Sequence, residues 1–152
     1  MIQRRHSGDG ATDYYGSAMS SPSFRRRVQL WAPPVAYMLL IFHLSSESNP
    51  LPELTEHVWD KALHSIEYGG LGALLCRACI GEGLSLALAG LCALVATSLY
   101  GGSDEWHQLF TPGRSSDIHD WLADTTGGLL GIASYLLLRA RLAFQIDRVR
   151  GQ

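Results

Sequence analysis

Asp60, His64, Glu67 and Tyr68 follow i, i+4, i+7, i+8 spacing, which puts them on one helix face, with Lys61 beside them. A carboxylate and an imidazole one turn apart can pass a proton or hold a cation. Asp104, Glu105, His107 and Gln108 crowd a second short stretch, and Asp117, Asp120 and Asp124 share a second helical face that continues into Gly127 and Gly131. Between them Thr111-Pro-Gly-Arg114 reads as a turn that presents a guanidinium. Asp60, Glu67, Asp104, Glu105, Asp117, Asp120 and Asp124 face only Lys61 and Arg114, which leaves -5 if every carboxyl is ionised and the histidines are neutral. Protonated His64 or His107, carboxyls held neutral, or a bound cation would each offset that excess. Calcium or magnesium would want an all-oxygen cage, whereas His64 with Glu67, Asp104 and His107 would suit zinc or manganese. The residues leave the metal, and any other cofactor, unassigned.

The elements that position these groups are apolar. Val28–Ser46 is 19 residues without Asp, Glu, Lys or Arg, and Gly83–Ser103 is 21, each close to the ~20 residues that a membrane-crossing helix requires. Ala62–Ile80 carries only Glu67 and Arg77, and Ile118–Leu138 only Asp120 and Asp124. A water-soluble bundle would show polar residues along the outer face of each helix. Leu84 to Tyr100 is instead apolar or small all round. The fold class expected is all-α, a four-helix transmembrane bundle, with the lipid bilayer as its solvent. The mean hydropathy of +0.06 over 152 residues hides this segmentation.

Lys and Arg set the orientation, since cytoplasmic flanks keep positive charge. With the N-terminus inside, ten of the twelve cations face the cytoplasm and only Lys61 and Arg114 lie outside. Trp31 then falls near the inner interface, and Trp59, Trp106 and Trp121 at outer ends. Both termini are expected to be cytoplasmic, in a multi-pass protein of the inner membrane. Residues 1–27 read as a disordered cytoplasmic tail, 28–142 as the membrane domain and 143–152 as a second cytoplasmic tail. The Arg25–Arg27 run precedes an uncleaved anchor, not a signal peptide, and Pro33 and Pro34 are expected in the first turn of helix one. Gly127-x-x-x-Gly131 is a small-residue seam for a neighbouring helix, of the same chain or of another.

Composition excludes some partners. A net charge of -2 offers no basic field for nucleic acid. Cys76, Cys79 and Cys92 lie in apolar stretches, and Cys76-x-x-Cys79 lacks the second pair that a zinc or redox motif would show. They read as small buried hydrophobes.

Asp60-Lys-x-x-His64-x-x-Glu-Tyr68, followed by Ser103-Asp-Glu-x-His-Gln108, Pro112-Gly-Arg114, Asp117, Asp120, Asp124 and Gly127-Gly, resembles the VanZ-like family of membrane proteins from about Leu30 to Leu138. Founding members of that family are associated with reduced susceptibility to the glycopeptide teicoplanin, so the resemblance implies a role at the cell envelope. One departure is Glu67, where the family more often carries an apolar or aromatic residue before the tyrosine.

Three readings of the polar cluster follow. In the first, an outer-face site binds or acts on a lipid-linked cell-wall precursor or a phosphate head group. His64, His107, Asp60 and Asp104 would then be the acid-base residues, with Lys61, Arg114, Gln108, Asp117, Asp120, Asp124 and Tyr68 holding substrate. In the second, the protein is a non-catalytic scaffold or shield and its polar groups staple helix ends together. A proton-coupled transporter is the third, although only Asp124 and Glu67 reach two turns into the membrane. His64→Gln separates the first two, since a scaffold should tolerate it. His43 and His119 read as interfacial histidines and His57 as an exposed loop residue.

Overall fold

The computed structural model describes residues 23–47 and 57–151, with side chains in the second stretch from Lys61 onward. Four helices account for nearly all of it: α1 (Phe24–Ser46), α2 (His57–Gly81), α3 (Leu86–Gln108) and α4 (Ile118–Arg150), with no strand among the described residues. Helices α1, α3 and α4 are long and apolar enough to cross a membrane. The fourth, α2, has the length, but its interior carries Glu67 and Arg77 and its apolar side is spent on its neighbours.

Helix α2 is central and touches the other three, whereas among the described residues α1 meets α2 and α3 but not α4. The core is narrow, built on Tyr68, Leu71, Leu75 and Cys76 of α2, Ile41 of α1, Ala89 and Ala93 of α3, and Ile132 of α4. Cys76 and Cys79 are buried free thiols, as their apolar surroundings imply. Large apolar side chains cover the outside instead: Leu99 is 70% exposed and Ile66 72%. Such a surface is stable in lipid and would aggregate in water.

Glycines set the closeness of α2 and α4. A Cβ at Gly127 would collide with the backbone of Ser65, and one at Gly131 with the backbone of Gly69. At Gly72 it would come 2.6 Å from the carbonyl oxygen of Gly128. The small-residue seam therefore packs within one chain, against a matching run on α2.

Turns and caps fix the connections. Ser85 caps α3 by accepting from the Leu88 amide at 3.3 Å, and Gly83 takes φ 98° in the short α2–α3 link. Gly113, at φ 81°, allows the turn that the Arg114 amide closes on the Thr111 carbonyl at 3.2 Å. At the same end as Gly83, Arg27 Nε lies 3.3 Å from Glu82 Oε2, and Trp31 Nε1 donates to Glu82 Oε1 at 3.1 Å.

One expectation is corrected. Helix α1 starts at Phe24, so it takes in the three arginines, and Pro33 and Pro34 lie in its interior instead of its first turn. Apolar surroundings enforce helix here because a backbone group released in lipid has no water to bond. At the other terminus α4 continues as helix to Arg150, through residues 143–150.

Candidate functional site

Antiparallel neighbours bring the C-terminal ends of α1 and α3 to the N-terminal ends of α2 and α4, and the polar residues collect at that end of the bundle. They separate into two sets.

The peripheral set is paired internally. Lys61 Nζ donates to Asp120 Oδ1 at 2.5 Å and to Asp117 Oδ2 at 3.2 Å, tying the start of α2 to the start of α4. Asp117 is the N-cap of α4, and its Oδ1 accepts from the His119 amide at 2.9 Å and lies 2.7 Å from His119 Nδ1. The His119 backbone N–H first, then its ring and the Lys61 ammonium, hold the Asp117 carboxyl well below the usual carboxylate range. The positive end of the α4 dipole favours both aspartates. Lys61 is thus committed to two carboxylates, and His119 is part of a cap.

The inner set is not balanced. His64 Nδ1 lies 2.9 Å from Oδ1 of Asp124, which is fully buried. Glu105 on α3 is 5% exposed, and its Oε2 accepts from the Asp117 amide at 2.8 Å. The other oxygen of each carboxylate, Asp124 Oδ2 and Glu105 Oε1, is buried without a partner among the described residues, as are the Tyr68 and Thr97 hydroxyls. One ligating atom from each of His64, Glu105 and Asp124 falls within 4.8 Å of the others. Gly101 makes the room: a Cβ there would sit 2.9 Å from Asp124 Oδ2 and 3.3 Å from the Tyr68 ring.

The remaining candidates surround this set. Asp104 is buried, receives a hydrogen bond from Gln108 Nε2 at 3.3 Å, and lies close enough to Glu67, Tyr68 and Asp124 for its charge to act on each. Arg114 follows the Thr111 turn; its Nε is buried without a hydrogen bond, and its charge reaches Glu67. His107 turns away toward α1, where its ring packs on Phe42 at 4.6 Å and its Nε2 lies 3.1 Å from Ser46 Oγ. Asp60 belongs to α2, and its side chain lies outside the described residues, as do those of His57 and Trp59. A cleft between α1 and α3, lined by Phe42, Tyr100, Trp106 and Phe110, has Asp104 and His107 on its wall.

The nitrogen-oxygen set anticipated around His64 thus differs in membership: Glu105 and Asp124 come to the imidazole, and His107 faces elsewhere. In the sequence Glu105 is one of the cluster's seven carboxylates and has no assigned role in the site. Its signal was present in the repeat Ala89, Ala93, Thr97, Gly101, Glu105, one buried stripe every four residues that ends on a carboxylate.

The sequence profile of the VanZ/LLP1 family matches residues 14–139. Neither the curated proteins nor the solved structures contain a match to the chain.

Proposed function

Because the chain belongs to the VanZ/LLP1 family, we propose that this membrane protein binds the polar head of a lipid-linked cell-envelope substrate at the outward end of its bundle. The observation that carries the reading is the unbalanced inner set, where two buried carboxylates and an imidazole meet with polar atoms to spare. A staple would match donors to acceptors, as the Lys61 set does. In this reading both termini and ten of the twelve cations lie on the cytoplasmic side of the inner membrane, so the site opens to the outer leaflet.

The roles follow from placement. Arg114 would take a phosphate through its fork of donors. His64, oriented by Asp124 and assisted by Asp104, would exchange a proton with the bound head group, and the Tyr68 hydroxyl would donate to it. An apolar tail resting in the α1–α3 cleft would bring its head past Asp104 and His107. Lys61, Asp117, Asp120 and Gln108 would shape the rim.

The test is native mass spectrometry of the protein in lipid nanodiscs supplied with a polyprenyl phosphate. Wild type is expected to retain a phosphate-lipid adduct, weakened about tenfold or more in Arg114→Gln, a change of ~1.4 kcal/mol. Equal retention by both proteins would remove the reading. The second reading, a scaffold stapled by polar pairs, is favoured by the Lys61–Asp117–Asp120 bridge and by pairs such as Ser98–Thr125 between α3 and α4; it expects His64→Gln to leave every function intact. The family resemblance also predicts that expression lowers teicoplanin susceptibility, and an unchanged inhibitory concentration would remove that part of the reading.

A further inference from the structure

We propose that His64, Glu105 and Asp124 form a binding site for a divalent transition-metal ion, zinc by preference. This goes beyond the head-group reading and stands whether or not a lipid binds.

Three elements, α2, α3 and α4, each contribute one ligand, and the three atoms already lie within 4.8 Å of one another. His64 Nδ1 and Asp124 Oδ1, now 2.9 Å apart in a hydrogen bond, would part by about half an ångström to reach the ~3.3–3.6 Å between two ligands held ~2.0–2.2 Å from one tetrahedral ion. Two features distinguish the cluster from a set of acids that happen to be neighbours. Asp124 Oδ2 and Glu105 Oε1 are buried and accept no hydrogen bond from any described residue, so each carboxylate keeps a lone pair for a ligand. Neither nearby cation serves: Lys61 is held by Asp117 and Asp120, and Arg114 forms no ion pair among the described residues.

The outer shell is also built. Glu105 is held by the Asp117 amide through its second oxygen, the kind of contact that orients a metal-binding carboxylate. One imidazole with two carboxylates is a borderline donor set that suits zinc better than calcium or magnesium. Three protein ligands leave one tetrahedral position for water or a substrate oxygen, and the Tyr68 ring lies against the same glycine as Asp124 Oδ2.

The experiment strips the purified full chain with chelator and reloads it with Zn²⁺, then measures metal content and affinity without added lipid. Wild type is expected to bind about one ion per chain, and Glu105→Gln to lose at least the ~10–100-fold that removal of an outer-shell partner costs. Gly101→Ala, which keeps all three donors but crowds Asp124 Oδ2, is expected to weaken binding as well. If Glu105→Gln fails to fold, X-ray absorption of the Co²⁺-loaded wild type decides. One imidazole nitrogen with oxygen neighbours upholds the site, and a sulfur shell from Cys76, Cys79 or Cys92 overturns it. A folded wild type that takes up no zinc, or zinc uptake indifferent to Glu105→Gln, overturns it too. A protein that retains phosphate-lipid but takes up no zinc would overturn the metal site alone, and one that takes up zinc but retains no phosphate-lipid would overturn the head-group reading alone.

Discussion

His64 and Asp124, 60 residues apart in the chain, meet across the α2–α4 interface with 2.9 Å between Nδ1 and Oδ1, and the aspartate side chain is wholly shielded from solvent. Proton-transfer and metal-binding chemistry both start from this pair, and its energetics can be measured directly. In a cycle of His64→Gln and Asp124→Asn, each single change is expected to destabilise the fold by ~1–3 kcal/mol, because it leaves a buried polar partner unmet. The double change should cost less than the sum, with a coupling of about 0.5–3 kcal/mol in thermal unfolding in detergent. Additive losses would mean that the two groups do not depend on each other.

Lys61→Met tests whether the peripheral set is structural. The bridge is half in solvent on the lysine side, so its loss is expected to cost only ~0.2–1 kcal/mol. Phosphate-lipid binding should persist. A variant that keeps its melting temperature but loses the lipid would return Lys61 to the substrate site.

The glycine seam predicts a steep positional contrast. Gly131→Ala puts a methyl into the Gly69 backbone, which cannot yield as a side chain would, and overpacking of this kind costs ~1–3 kcal/mol or more. Gly90→Ala meets Ile132 at an ordinary 3.6 Å and should be accepted. Yield of monodisperse protein on size-exclusion chromatography separates them; equal behaviour would show that α2 and α4 do not touch as described.

Asp117 gives a dependence on pH. Its carboxyl is more acidic in the folded protein than in the unfolded chain, so the stabilisation is present above the unfolded value near ~3.9. It is lost as pH falls through the lower folded value. Asp117→Asn is therefore expected to flatten the acid limb of stability below about pH 5 while changing the slope little near neutrality. An acid limb identical to wild type would remove the cap from the account.

Much of the fold was legible because the blocks without charge are as long as a bilayer is thick, and the Gly127 and Gly131 spacing announced a close helix contact. That the partner is α2 of the same chain became clear only from the packing of Gly69 and Gly72. Within the site, helical spacing put His64 and Asp124 on inward faces, but spacing carries no rotation between helices. Glu105 and His107 sit two residues apart on α3, about 200° around its axis, and the helix had to be placed before one could be seen to face the bundle centre and the other α1. The extent of α1 was misjudged for a different reason: Arg25–Arg27 look like a polar boundary, yet arginine is a good helix former and the helix simply begins earlier.

The glycine contacts between α2 and α4 have a consequence for the response to the surrounding lipid. Two helices in backbone contact at Gly69, Gly72, Gly127 and Gly131 cannot slide past one another without steric collision, so a thinner or thicker bilayer must be met by tilting the pair as one body. His64 and Asp124 ride on that body a turn away from the contact. Their geometry is thereby insulated from changes in membrane thickness, which fall instead on α1, the helix that does not touch α4.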